Sequence, residues 1–225
     1  MKVSLISHTP DPLSIFAQSA RITRSKGEDW KSDLYYFKLL YQSGHHSVFE
    51  HAMFSFLIED ISRACSHQLV RFRIGTSFTQ RSQRYTEESD FSYTCPPSIA
   101  KNADALKSYS ALVDQARASY EDLVSKGIPK EDARFVLPNA THTSLVMSMN
   151  YRELIHACSL RLCTKSQWEI QELFWRVRKI MEKVDPVLVS ILYPRCFHDR
   201  YCKEAHPCRL EKYFLDKYTS WRASL

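Results

Sequence analysis

Glycine is scarce in this chain of 225 residues: there are four, Gly27, Gly44, Gly75 and Gly127, and no two lie closer than 17 positions. Folds that hold phosphate on backbone N–H groups need several glycines within a few residues, so a dinucleotide-binding fingerprint and a P-loop are both excluded. Any phosphate bound here is bound by side chains. No apolar run approaches the roughly 18 residues a membrane helix requires. The first apolar run, Val3 to Ile6, is interrupted by His8, Thr9, Pro10 and Asp11 before a signal-peptide core could form. The seven cysteines are odd in number and lack framework spacing in the first two-thirds of the chain. Reduced thiols fit that pattern better than a secreted disulfide scaffold, so the expected location is the cytoplasm.

A second absence is local. From Ile61 to Arg84 there is no aspartate, glutamate or lysine, yet there are five arginines, Arg63, Arg71, Arg73, Arg81 and Arg84. Thr76, Ser77, Thr79, Gln80, Ser82 and Gln83 are threaded among them. Guanidinium forks bind phosphate bidentately where an ammonium acts as a point charge, so this segment reads as a surface for a small phosphorylated molecule. The net charge of +6 is mild and acids gather elsewhere, as at Glu87 to Asp90 and Glu131 to Asp132. That asymmetry favours a small anionic ligand over wholesale coating of nucleic acid. With 44% hydrophobic residues, the expectation is a single domain over 1–225, ending in a tail at about 194–225 that carries cysteine and histidine.

Periodicity gives the elements. Lys2 to Ser7 has the length and β-branched content of a strand, and Pro10-Asp11-Pro12 opens a helix. Ser32 to Tyr41 puts Leu34, Phe37, Leu40 and Tyr41 on one helical face, with Gly44 as a cap. Met53 to Ile58 alternates as a strand, after which Asp60 or Ser62 caps a helix running towards Arg71, so the arginine segment is a loop leaving a helix end. Leu106 to Val124 is helical through Leu106, Tyr109, Val113, Ala116, Tyr120 and Leu123, and Gly127-Ile128-Pro129 stops it. Ser144 to Met149 reads as a strand, Tyr151 to Leu162 and Gln167 to Val184 as helices, the last apolar through Ile170, Leu173, Phe174, Val177, Ile180, Met181 and Val184. The fold class is α/β in the α+β sense, a small, mostly antiparallel sheet flanked by long helices.

Five blocks in order carry a resemblance. They are Gly44-His45-His46-Ser47-Val48-Phe49-Glu50-His51; Ser62-Arg63 with Gln68-Leu69-Val70-Arg71-Phe72-Arg73 and Ser82-Gln83-Arg84-Tyr85; Glu131-Asp132-Ala133-Arg134-Phe135-Val136-Leu137-Pro138; Met149-Asn150-Tyr151-Arg152-Glu153-Leu154; and Arg161 with Ser166-Gln167-Trp168-Glu169-Ile170. Together they resemble the flavin-dependent thymidylate synthases over about residues 2 to 190. The resemblance implies methylation of dUMP at C5, with methylenetetrahydrofolate as carbon donor and NADPH-reduced FAD as hydride source. It also implies a homotetramer with sites shared between subunits.

Carried over by position, the resemblance makes Ser82, Arg71 and His45 the catalytic set. On the cofactor side it implies His45, Ser47, Arg71, Phe72, Arg73, Arg161 and Lys165, and on the substrate side Gln68, Gln80, Arg81, Ser82, Arg84, Arg134 and Gln171. Three positions depart from the pattern. Phe72 stands where the motif has a central histidine, Ser159-Leu160-Arg161 where it has Asn-x-Arg, and Gln171 where Ala-Gln-x-Glu-Ile-Arg ends in arginine. Losing a charge-assisted hydrogen bond costs about 1.5–3 kcal/mol, roughly ten- to hundredfold in affinity. Two alternatives follow: another pyrimidine acceptor such as UMP, or a non-catalytic protein that binds nucleotide or RNA.

Other residues have plainer readings. His46 and His51 are structural, Glu50 positions a helix or loop, and Trp168 and Ile170 are core. Cys158 and Cys163 are buried thiols, and Ser82 lacks the elbow glycines of a hydrolase nucleophile. Cys196, His198, Cys202, His206 and Cys208 are dense, but their spacing lacks the Cys-x2-Cys hooks of a zinc site, so no metal is expected.

Overall fold

The computed structural model describes residues 1–23 and 31–223; Gly27 lies outside them. In chain order the elements are β1 (Lys2–His8), α1 (Pro12–Ile22), α2 (Asp33–Gln42), a 3-10 helix (His46–His51), β2 (Met53–Ser62), α3 (Arg63–Leu69) and β3 (Thr76–Gln80). Then come α4 (Pro97–Ala100), α5 (Ala103–Ser125), α6 (Lys130–Ala133), a second 3-10 helix (Arg134–Val136) and β4 (His142–Asn150). The chain continues through α7 (Tyr151–Arg161), α8 (Trp168–Val184), α9 (Pro186–Val189), α10 (Arg195–Asp199) and α11 (Glu211–Ala223). The four strands form one antiparallel sheet in the order β1-β2-β4-β3, which is the expected α+β class. No helix among the described residues is long and apolar enough to cross a membrane.

The chain forms two compact units. The first comprises Met1–Lys2, Ile58–Arg71 and Phe78–Val146. Its core holds Ile58, Ile61, Cys65, Leu69, Phe91, Val113, Tyr120, Ala133 and Leu145, all buried. Ser62, rather than Asp60, caps α3: its Oγ accepts from the Cys65 N–H at 3.0 Å. On α5 only Val113 and Tyr120 are buried; Leu106, expected on the same face, is exposed.

The second unit comprises Val3–Leu57, Phe72–Ser77 and Met147–Leu225. Phe16, Phe37, Phe49 and Tyr151 meet there, with ring centroids 5.0 Å apart for Phe16–Phe49 and 5.7 Å for Phe49–Tyr151. The Tyr151 hydroxyl, wholly buried, donates to the Leu188 carbonyl at 2.6 Å, satisfying both polar groups. Helix α8 buries Ile170, Leu173, Phe174, Val177 and Met181. Trp168 is 38% exposed, which corrects the expectation that it shares this face with Ile170. Residues two apart on a helix lie about 200° apart, so the two cannot both face the core.

Gly75 has φ +67°, and a Cβ there would lie 2.1 Å from Asn150 Nδ2. Asn150 is already committed: its N–H donates to the Gly75 carbonyl at 2.8 Å and its Oδ1 caps α7 through the Glu153 N–H at 2.9 Å. Gly75→Ala is therefore expected to combine left-handed strain with loss of a cap, about 2–4 kcal/mol in total. Thermal unfolding should show a midpoint lower by roughly 5–15 °C. An unchanged midpoint would mean that Asn150 can move aside freely.

Candidate functional site

The candidate residues divide between the two units. Gln68, Arg71, Gln80, Arg81, Ser82, Arg84 and Arg134 belong to the first, and His45, Ser47, Phe72, Arg73, Arg161, Lys165 and Gln171 to the second.

In the first unit the arginines cluster. Arg63, opening α3, donates through Nη2 to the Arg81 carbonyl at 3.0 Å, while its Nε is buried without a hydrogen-bond partner. Burial holds the Arg63 guanidinium below its usual range; nearby Glu88 opposes this, and the like charges of Arg134 and Arg81 add to it. Arg81 pairs with the buried carboxylate of Glu88 at 3.1 Å. Arg84 pairs with Glu131 at 2.5 Å and lies over the Tyr85 ring, 5.3 Å from its centroid. Arg134 Nε donates to the Glu131 carbonyl at 3.0 Å. Ser82 Oγ accepts from the Arg84 N–H at 3.2 Å, and Gln80 Nε2 reaches Ser66 Oγ and Thr143 Oγ1 at 3.0 and 3.1 Å. Gln68 is half-buried and Arg71 exposed.

Four guanidiniums thus share one surface with Glu88 and Glu131, and a buried guanidinium N–H remains unmatched. An anion with several oxygens complements that arrangement. Arg63, Gln83, Glu88 and Glu131 are absent from the site residues that the resemblance implied, although Arg63 and Gln83 belong to the arginine segment read from the sequence. Gln83 Nε2 is likewise buried without a partner, and Tyr85 and Phe135 are 75% and 83% exposed. Large exposed rings beside an arginine cluster are a signal that burial alone reveals.

The second unit explains Phe72. Its ring is buried, with centroids 6.1 Å from His156 and 6.0 Å from Phe174, and the Arg161 guanidinium lies 5.4 Å over it. Arg161 ends α7, and its Nε is also buried without a partner. Arg73, His45, Ser47 and Lys165 are exposed. Gln171 donates its amide to the Cys163 carbonyl at 2.8 Å and reaches that of Leu162 at 3.5 Å, tying α8 to the end of α7.

A cleft of about 770 Å³ opens in this unit, walled by Ile74, Arg152, His156, Ser159, Arg195 and His198 among others. Across it Arg152 pairs with Glu50 at 2.5 Å. The Tyr41 hydroxyl is hydrogen-bonded to His198 Nδ1, and His198 Nε2 to the Tyr193 carbonyl at 3.0 Å. A carbonyl only accepts, so Nε2 carries the proton and Tyr41 donates to Nδ1. Burial holds His198 down to about 4, with His46 adding and the Tyr193 hydrogen bond and Asp199 opposing.

The unfolded chain takes up this proton below the ordinary value of 6.5, the folded chain only below about 4. In that window the unfolded state binds more protons, so stability is lost as pH falls, by about 1.4 kcal/mol per unit and roughly 3 kcal/mol in all. Urea unfolding is expected to show this slope in the native chain and a shallower one in His198→Gln, whose amide keeps a donor and an acceptor. Equal slopes would exclude His198 as the source.

The sequence model of the family described as "Thymidylate synthase complementing protein" matches residues 4–187. Proteins named flavin-dependent thymidylate synthase are 42% identical in Geobacter sulfurreducens over 206 residues, covering 87% of this chain and 88% of that one. The protein of that name from Saccharolobus solfataricus is 38% identical over 230 residues (96% and 86%), and that from Pyrococcus furiosus 36% over 222 residues (91% and 90%). This chain belongs to the flavin-dependent thymidylate synthase family. Of the arginine cluster, Arg63, Arg84 and Arg134 stand in the motif blocks, as do Phe72 and Arg161. Residues 188–225, which supply Arg195 and His198 to the cleft, lie beyond the part matched by the family model.

Proposed function

We propose that this protein is a thymidylate synthase that methylates dUMP at C5 to give dTMP, using methylenetetrahydrofolate as carbon donor and FAD reduced by NADPH as hydride source. One observation carries the reading: in a chain of this family, Arg63, Arg81, Arg84 and Arg134 crowd together with a buried, unmatched guanidinium N–H among them. Like charges held this close are stabilised by a bound polyanion such as a nucleotide phosphate.

Arg84 and Arg134 would hold the dUMP phosphate or a base carbonyl, with Gln68, Gln80 and Arg81 beside them. Ser82 would hydrogen-bond the pyrimidine and polarise it at C5. On the cofactor side, the unmatched buried Nε of Arg161 fits an anionic or carbonyl acceptor, and the exposed Arg71, Arg73, His45, Ser47 and Lys165 supply further donors. These residues would hold FAD, which when bound supplies the hydride. The Phe72 ring offers no hydrogen bond; it supports Arg161 from beneath by a cation–π contact. Assembly as a cytoplasmic homotetramer, with sites shared between subunits, completes the proposal.

The test is direct. Purified protein should show flavin absorption bands that shift on titration with dUMP, and should release tritium from C5-labelled dUMP when folate and NADPH are added. Colourless protein that takes up no FAD would defeat the reading. A second reading, with UMP or another pyrimidine nucleotide as acceptor, is favoured by Gln171, whose amide is engaged with the Cys163 and Leu162 carbonyls. Release from labelled UMP in preference to dUMP would establish it.

A further inference from the structure

Four of the seven cysteines line one small pocket in the second unit. Cys163 comes from the loop after α7, Cys196 from α10, and Cys202 and Cys208 from the segment between α10 and α11. The pocket has a volume of about 50 Å³, close to that of one or two water molecules, and none of these cysteines is in a disulfide. Among the described residues no three His, Cys, Asp or Glu side chains converge closely enough to hold a metal ion. Lys165, Arg195 and Lys203 also line the pocket, against Glu204 and Glu211. Arg195 and Lys203 are both engaged by Asp199, at 3.0 and 2.8 Å, so the charges around the pocket balance.

The thiols are not equivalent. Hydrogen bonding from Thr164 holds the Cys208 thiol below the ordinary range, with nearby backbone N–H groups adding to this and burial opposing it. Burial, followed by the neighbouring Cys202, pushes the Cys196 thiol up to about 11. Of these two sulfurs, Cys208 is the better prepared as a nucleophile.

We propose that this pocket is a thiol-oxidation site for a small hydroperoxide, with Cys208 as the attacking sulfur and a second pocket cysteine as its resolving partner. The Cys208 thiolate attacks the terminal oxygen of the O–O bond. That bond breaks, and the departing oxygen takes a proton from solvent to leave as water or an alcohol. Cys208 is oxidised to the sulfenic acid while the peroxide is reduced. The partner thiolate then attacks the Cys208 sulfur, the S–O bond breaks, and the hydroxide leaves as water. Two thiols and one hydroperoxide thus give a disulfide, an alcohol or water, and a further water. Thr164 ties Cys208 to the loop that holds Cys163, between the candidate flavin residues Arg161 and Lys165, which makes Cys163 the favoured partner. The inference is independent of which pyrimidine is methylated.

The full chain, reduced and then freed of reductant, is treated with one equivalent of hydrogen peroxide. Thiol titration and peptide mass mapping should show the loss of two thiols per chain and a disulfide containing Cys208. Cys208→Ser, checked for native circular dichroism, should consume peroxide at least about tenfold more slowly. Cys163→Ser should keep the first step and trap a sulfenic acid on Cys208, detectable with a dimedone probe. If Cys163→Ser still forms a disulfide, the partner is Cys196 or Cys202 and the site stands. The inference fails if Cys208→Ser reacts as fast as the native chain, or if Cys208 is absent from the oxidised peptides. It fails equally if elemental analysis finds one zinc per chain and the four thiols resist peroxide until a chelator is added.

Discussion

Phe72→Ala is expected to lower the stability of the chain by about 3–5 kcal/mol, the usual cost of deleting a buried aromatic ring. The ring touches Phe174 on α8 and His156 on α7 and carries the Arg161 guanidinium, so its removal leaves a cavity on three sides. Against a total stability on the order of 5–15 kcal/mol, this is a large fraction. The same change should reduce flavin content, because Arg161 loses the surface that orients it. Phe72→His, which restores the histidine of the family motif, should cost less, since most of the ring volume stays and Nδ1 or Nε2 can reach a polar partner. Urea unfolding and the ratio of flavin to protein absorbance measure both effects. A loss under about 1 kcal/mol in the alanine variant would show that the ring is not packed as described.

Arg134→Ala should raise KM for dUMP by roughly ten- to hundredfold while flavin content stays near that of the native enzyme, corresponding to one lost charge-assisted contact of about 1.5–3 kcal/mol. Arg134 is chosen because the Glu131 carbonyl anchors its Nε, leaving the rest of the fork free, and because its charge bears on Arg63. Arg134→Lys should recover only part of the loss, since an ammonium cannot reproduce a bidentate fork. The structural effect is expected to be small: the side chain is half-exposed and its removal relieves repulsion at Arg63. An unchanged KM with intact fold would remove Arg134 from the nucleotide site, whereas loss of flavin along with activity would move it to the cofactor.

Long periodic segments were legible in the sequence. Helix α8 buries five of the seven apolar positions that the 3.6-residue repeat picks out, and in β2 Phe54, Phe56 and Ile58 face inward while Met53 is exposed. Strand β3 was not legible. Thr76–Gln80 has one apolar residue, Phe78, and lies at the sheet edge with a single neighbour, so the chain read as a loop. The tail's α11 did carry a helical signal, with Phe214, Tyr218 and Trp221 at i, i+4 and i+7, which a reading of that segment for its cysteines and histidines alone passes over.

The site shows the same division. The order of residues along the chain determined that no glycine-rich cradle of N–H groups exists for a phosphate, because glycines are too few and too dispersed, and that five arginines fall in one acid-free segment. It also determined the family, through short blocks standing in order along residues 4–187. Only tertiary structure decided which arginines meet and which are engaged elsewhere. Arg63 and Arg134 are 71 positions apart in sequence yet feel each other's charge, and Gln171 turns its amide to a helix end. Tertiary structure also gathered four cysteines around one pocket from segments up to 45 residues apart. The physical reason is common to all three: Coulomb and hydrogen-bond energies depend on distance through space, and chain order constrains that distance only within an element.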